Sequence, residues 1–492
     1  MTSPEQPTQV TETHVSRLFF VGDRVLKQKK AVQTGFLDFR EPTAREAACH
    51  REVELNRRLA PDVYLGVADV SMEGRPVDHL VVMRRLPPDR RLTALVDDPS
   101  VRAHLRRVAR VVADFHSRAE RSRTIDEAGT AEFVTALWRS GLEQVERFAP
   151  EVLDPEELER ARGLALEYLS GRRPLFDQRL RQGRTCDGHG DLQAEDVFCL
   201  DDGPRILDCL EFDDRLRHGD VAGDVAFLAM DLERVGHPEL GAELVARYQE
   251  LTADHWPASL GHHYVAYRAH IRSKVACLRH EQGDPGARAT ARSLHRLALD
   301  HLEAGRVTMT LVGGAPGRGK STLARALGAS TGAVVLSSDE VRDDLLPRSG
   351  AAGQVDGGRY RPELVARVYE ELLARAEVLL AHGEPVILDA SWSEAPRREL
   401  VRAMSTRVAA PVLEIRCTCP DEVAARRIED RRRRGTDASE ATVDVADALS
   451  ARFDAWPEAV SIDTSPPPGE VADRARRHVT ERLAGTPAVV DD

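Results

Sequence analysis

Lysine is nearly missing from this sequence. Five lysines stand in 492 residues, at Lys27, Lys29, Lys30, Lys274 and Lys320, and the rest of the 69 basic side chains are arginine. Arginine serves surfaces well but replaces lysine poorly where a compact ammonium must sit between phosphate oxygens, so lysines that persist in this background point to that use. Three of them crowd into "VLKQKK" and a fourth closes a glycine loop. Other absences exclude whole classes. No run of 18 or more apolar residues occurs, which leaves no helix able to span a bilayer. The opening "MTSPEQPTQVTETH" has neither the basic stretch nor the apolar core of a secretory signal. It reads as a short disordered lead, 1–13, of a cytoplasmic protein. Seven cysteines form no C-x-x-C pair, which suits a reducing compartment better than a disulfide frame. Cys417 and Cys419, at alternate positions near a strand end, are expected to be buried thiols facing one side. Positive charge is short as well: 69 basic against 81 acidic side chains leave a net charge of −12, unlike the basic field of a general nucleic-acid binder. Internal repeats and low-complexity blocks are absent too.

What is present has two textures. A chain of 492 residues exceeds one ordinary core, so two or three domains are expected. From about residue 14, "RLFFVGDRVLKQ", "VYLGVADV" and "HLVVM" read as strands, with a hairpin signal at Gly22-Asp23. One helical stretch, "TAREAACHREVELNRRLA", interrupts them. This makes a small mixed lobe to about residue 85. A mainly helical region follows, to about 302. From 306 to 483, "VTMTLVGG", "AVVLSSD", "EPVILDA" and "PVLEIRC" alternate with helical stretches, the pattern of a doubly wound α/β domain. A frayed tail, 484–492, is expected at the end.

In the second part, Gly314 to Ser321, "GAPGRGKS", fits G-x-x-x-x-G-K-[ST] between an apolar strand and a helix. Gly314, Gly317 and Gly319 let backbone amides curl round phosphates, Lys320 neutralises their charge, and Ser321, followed by Thr322, supplies a hydroxyl to Mg²⁺. Asp339 in "SSDEVR" ends the next strand, where it can accept a proton from an attacking hydroxyl or else cap a helix. Arg342, one turn on, can hold an anionic acceptor. Asp389 in "VILDASW" can hold the metal through water or cap a helix. In "ARRIEDRRRRG", Arg427 and Arg431 belong either to a lid over the phosphates or to a solvated basic face.

In the first part, "HGDLQAEDVF" places Asp191 five residues before Asp196, the H-x-D-x-x-x-x-N frame with Asp for Asn. In that frame the first Asp deprotonates the acceptor hydroxyl and the later residue binds metal. Asp208 in "ILDCLEF" supplies a second metal ligand, with Glu211 as its rival. Lys27 or Lys29, which share one strand face, contacts phosphate, and Glu52 pairs with it, with Glu54 as a lesser rival.

The motifs "HGDLQAEDV", "ILDCLEF" and "HGDVAGDVAFL" resemble the aminoglycoside phosphotransferase and choline kinase-like family over about residues 14 to 300, where Asp224 matches a structural aspartate. No G-x-G-x-x-G precedes the lysines. Residues from about 306 to 480 resemble small P-loop kinases, including polynucleotide 5′-kinases, gluconate kinases and zeta-toxin-like enzymes, on "GAPGRGKS", "SSDEVR" and "VILDASW". The order of the halves is similar to a bifunctional group joining the two. The resemblance implies an α+β, two-lobed, protein-kinase-like domain followed by an α/β doubly wound P-loop domain. It implies an ATP- and Mg²⁺-dependent kinase acting on a small-molecule hydroxyl acceptor. Two other readings stand beside it: a polynucleotide 5′-hydroxyl kinase, and a P-loop kinase regulated by an inactive, ATP-sensing first domain.

Overall fold

The computed structural model describes residues 9–12, 15–33, 38–345, 361–434, 450–486 and 488. It shows the expected order of folds. β1 (Gln9–Glu12) pairs antiparallel with β2 (Ser16–Val21), which corrects the structureless lead at those four residues. β1 is exposed along its whole length, so backbone pairing and the contacts of Glu12 with Arg17 and Lys30, both at 2.9 Å, hold it. Such a strand carries no hydrophobic pattern to read. β3 (Arg24–Lys29) returns across Gly22 and Asp23. Gly22 takes the left-handed φ, +57°, that a two-residue hairpin loop favours. β4 (Tyr64–Met72) and β5 (Arg75–Arg84) complete a sheet of order β1-β2-β3-β5-β4.

The Pro42–Asn56 helix lies on this sheet. Cys49, Glu52, Val53 and Asn56 are buried at helical spacing, and Cys49 and Val53 join Val25, Val81, Met83, Phe198 and Leu207 in one core. Glu52 is thus a carboxylate set into an apolar stripe. On β3, Val25, Lys27 and Lys29 share a face by strand alternation. Further along, β6 (Thr185–Asp187) precedes the 188–196 loop, β7 (Val197–Leu200) and β8 (Gly203–Ile206) follow it as a pair, and β9 (His218–Asp220) pairs back with β6.

The second fold is a parallel sheet: β10 (Met309–Gly313), β11 (Val334–Ser337), β12 (Val386–Asp389), β13 (Val412–Thr418) and β14 (Val460–Asp463), in the order β11-β12-β10-β13-β14. Register sets Val312 and Ser337 each beside Asp389, so the carboxyl ends of three strands meet at one place. The last helix, Pro468–Gly485, runs two residues into the expected tail.

The compact units do not part at residues 302–306, where the textures change. One unit gathers Met1–Val134, Gln178–Trp256 and Tyr264–Ala298; the other gathers Thr135–Asp177, Pro257–His263 and Leu299–Asp492. Within the second, buried Arg306 holds Glu167 through two bonds of 2.7 and 2.9 Å. Arg172, fully buried, donates to the Val408 and Ala409 carbonyls at the C-terminus of the Ala395–Arg407 helix, where a cation complements the helix dipole. Among the described residues, no helix is long and apolar enough to cross a membrane. All seven cysteines are free and buried, and burial pushes the Cys417 thiol up to about 12.

Candidate active sites

In the first unit, Lys27, Glu52 and Asp208 come together from β3, the overlying helix and the segment after β8. The Lys27 ammonium lies 2.8 Å from Glu52 and 2.7 Å from Asp208. Burial works against the Lys27 charge, but Asp208 and Glu52 outweigh it and hold its pKa well above the ordinary value. Asp208 is lowered, chiefly by Lys27. Its backbone is left-handed, φ +62°, in a residue that is not glycine, a conformation that costs about 1–3 kcal/mol and tends to occur at functional positions. Lys29 also contacts Glu52, at 2.6 Å, and ion-pairs with Glu211. That engages Glu211, the rival metal ligand, elsewhere. Glu54 pairs with Arg51 on the outer side of the helix and takes no part.

The loop bearing Asp191 is braced from behind. Asp224, near the start of the Val221–Arg234 helix, accepts the amides of His189 (2.5 Å) and Gly190 (3.0 Å). Burial opposes the Asp224 charge, yet the His116 hydrogen bond and the charge of Arg268 hold it well below the usual carboxylate range. His189 is buried, and burial lowers its pKa to about 4. As a neutral ring it donates Nε2–H to the Leu207 carbonyl (3.1 Å) and accepts the Asp191 amide at Nδ1 (3.4 Å). The histidine of the motif therefore ties the Asp191 loop to the strand leading to Asp208. Burial pushes the Asp191 carboxyl up to about 6, against the opposing charges of Arg272 and Arg268. Asp196 is raised well above its ordinary value by burial and by Asp208, Glu195 and Asp191. These carboxylates crowd one another, and a cation would relieve the repulsion.

In the second unit, the loop after β10 needs its glycines. Gly314 (φ +133°) and Gly317 (φ +79°) are left-handed, and a Cβ there would stand 2.6 Å from the Cys417 carbonyl and 2.7 Å from the Ala424 carbonyl. Gly319 is left-handed too and opens the Lys320–Thr331 helix, whose N-terminal amides face the loop. Lys320 Nζ donates to the Ala315 carbonyl at 3.2 Å, across the loop. Ser321 hydrogen-bonds Asp389, which is buried; burial raises the Asp389 pKa, and Lys320 and Ser321 act against the rise. Thr322 is exposed.

Asp339 and Arg342 are placed differently from their separate assignments. Asp339 lies inside the first turn of the Ser338–Leu345 helix rather than capping it. The Ser337 hydroxyl accepts its amide at 3.3 Å, and its carboxylate ion-pairs with Arg342. An i,i+3 spacing on a helix brings the two side chains together. Arg427 sits beside the glycine loop, donating to the Thr464 hydroxyl (3.1 Å) and carbonyl (2.7 Å). The Arg431 side chain lies outside the described residues. Thr464, buried just past β14, was not singled out in the sequence; its hydroxyl lies 2.9 Å from the Arg318 carbonyl of the loop. Arg268 and Arg272, beside Asp191, were also missed, since arginine is common throughout this chain.

Among the described residues, no group of three or more His, Cys, Asp or Glu is set to hold a metal by side chains alone. Mg²⁺ takes one or two carboxylates and completes its shell with water and substrate phosphates. The donors present, Asp196 and Asp208 in one unit and Ser321 with Asp389 in the other, fit that habit.

Residues 16–261 match the "Phosphotransferase enzyme family" and residues 309–456 match an "AAA domain". The uncharacterized protein Rv2004c of Mycobacterium tuberculosis (strain H37Rv) is 42% identical over 463 residues, 93% of this chain and 92% of that protein. An uncharacterized protein of Mycobacterium bovis, Mb2027c, matches to the same extent: 42% identity, with 93% of this chain and 92% of that protein covered. Among solved structures, a choline/ethanolamine kinase family protein from Mesorhizobium loti is 15% identical, covers 60% of this chain and 92% of its own, and has a TM-score of 0.38. The APS kinase CysC of M. tuberculosis is 19% identical, covers 37% and 99%, and has a TM-score of 0.28. The chain therefore belongs to the phosphotransferase enzyme family, and it is a kinase-type enzyme whose second part is a P-loop AAA domain.

Proposed function

We propose that both halves, 14–302 with its small lobe to about residue 85 and 306–483, transfer the γ-phosphoryl group of ATP to hydroxyl groups of small-molecule acceptors in the cytoplasm. One observation, present in both halves, carries the reading: a lysine lies beside a carboxylate carried at or just past the end of a separate strand, Lys27 with Asp208 and Lys320 with Asp389. Mg²⁺, held by Asp208 and Asp196 in the first half and by Ser321 with Asp389 in the second, would offset charge on the phosphoryl oxygens. Lys27 and Lys320 bind phosphate oxygens. Asp191, with a pKa near 6, accepts the proton of the acceptor hydroxyl as the new O–P bond forms and the bond to the ADP oxygen breaks. In the second half Asp339 is the candidate base, and its ion pair with Arg342 fixes the direction of its carboxylate. The Lys27–Glu52 pair supports an active first half over a merely ATP-sensing one. The excess of acidic over basic side chains, net −12, favours small acceptors over a polynucleotide end.

Calorimetric titration with an ATP analogue and Mg²⁺ tests the two-site reading. Wild type should bind two equivalents, and Lys320→Ala and Lys27→Met one each. A single equivalent on wild type, lost in Lys320→Ala, would leave the first half without a nucleotide role.

A further inference from the structure

Glu52 has two lysines where one would serve. Lys27 lies 2.8 Å from Oε1 and Lys29 lies 2.6 Å from Oε2. The run of charges continues at both ends: Lys27 reaches Asp208 at 2.7 Å, and Lys29 reaches Glu211. Five groups therefore alternate in sign, Asp208, Lys27, Glu52, Lys29 and Glu211. Both ends of the run belong to one short segment after β8, and its middle is anchored on the Pro42–Asn56 helix.

Exposure is graded along this run. The Glu52 and Lys29 side chains are 0% and 1% exposed, while Asp208 is 47% exposed. The open end is where a nucleotide and its cation can enter. Lys27 can exchange Asp208 for phosphate oxygens there, whereas Lys29 is sealed in. A buried carboxylate stripped of its only cation is strongly disfavoured. With a second ammonium on its other oxygen, Glu52 stays neutralised while Lys27 turns to the phosphates. Glu211 stands three residues after Asp208, so the same ammonium fixes the segment that presents Asp208, including its left-handed backbone.

We propose that Lys29 is a positioning residue for the first-half phosphotransfer: by bridging Glu52 and Glu211 it holds the Asp208 segment against the Glu52 helix, so that Lys27 and Asp208 can part and take phosphate and cation. This role rests on the ATP and Mg²⁺ reading above.

The test uses the full chain carrying Lys320→Ala, which silences the second site. The bridge is removed with charge balance kept, by Lys29→Met together with Glu211→Gln. Two quantities are measured: the affinity for β,γ-imido ATP without metal, by calorimetry, and the affinity of that complex for Mn²⁺, by electron paramagnetic resonance. The metal-free affinity should stay within about threefold, while Mn²⁺ binding weakens by about tenfold or more, the range for losing a group that orients a metal ligand. Lys29→Arg, which preserves the bridging charge, should restore Mn²⁺ binding. If the double variant does not fold, Glu211→Gln alone is read the same way. Unchanged Mn²⁺ affinity in a folded variant would overturn the role, as would an equal fall in both affinities, which marks a purely structural pair. No analogue binding by the Lys320→Ala parent would instead sink the nucleotide reading, and this role with it.

Discussion

Asp191 is held where burial works against its charge, and that has a pH consequence. A base must be ionised to accept a proton, so first-half turnover should rise with pH and level off above about 6. The profile of kcat/KM, measured from pH 4.5 to 8, should show a single ascending limb there, and Asp191→Asn should lower the plateau by about 10²–10⁴. Stability has the opposite sign. A carboxyl raised from 3.8 to about 6 contributes stability that is full below its unfolded pKa and is lost as pH rises through the folded one. Individual residues were legible in the sequence unevenly. Alternation along β3 put Lys27 and Lys29 on one face but could not separate them, because both reach Glu52 and only their outer partners, Asp208 and Glu211, differ. Those partners lie some 180 residues away, with sequence separations of 181 and 182, beyond any local pattern. The pairing of Asp339 with Arg342 was missed, because the two residues were assigned separate tasks, although i,i+3 spacing on one helix is enough to bring them together.

The elements that carry the second site are fixed by steric necessity. Gly314→Ala would set a methyl 2.6 Å from the Cys417 carbonyl, on a backbone conformation that alanine resists. We expect a loss of about 1–3 kcal/mol from the overpacking, read as a shift of the denaturant midpoint, together with loss of the Lys320-dependent nucleotide equivalent. Full nucleotide binding by a correctly folded Gly314→Ala protein would show that the loop does not need this geometry. Loop, strand and helix were legible because the motif is contiguous and begins at the end of an apolar strand. β1 was not, since it is held by backbone pairing with no apolar face. Thr464 was not either: one polar residue after a four-residue strand carries no periodic signal, and its contact with Arg318 spans 146 positions.

At the scale of the whole molecule, both folds announce themselves because each nucleotide motif is short and sits at a strand end. The grouping into compact units does not. Helices within 135–177 have the amphipathic spacing of any packed helix, and that spacing does not say which core receives them. Long-range contacts such as the buried Glu167–Arg306 pair, the Arg172 contacts and the Arg160 bonds to the Leu483 and Thr486 carbonyls reveal the side they join. On the proposed reading, one chain holds two working kinases. The most direct test is ATP turnover on a pooled panel of sugars, sugar acids, nucleosides, aminoglycosides and a 5′-hydroxyl oligonucleotide, comparing wild type, Lys320→Ala and Asp191→Ala. Two working kinases predict that each variant loses a different acceptor while the other is still phosphorylated. Loss of all transfer in Lys320→Ala, with Asp191→Ala indistinguishable from wild type, would contradict it.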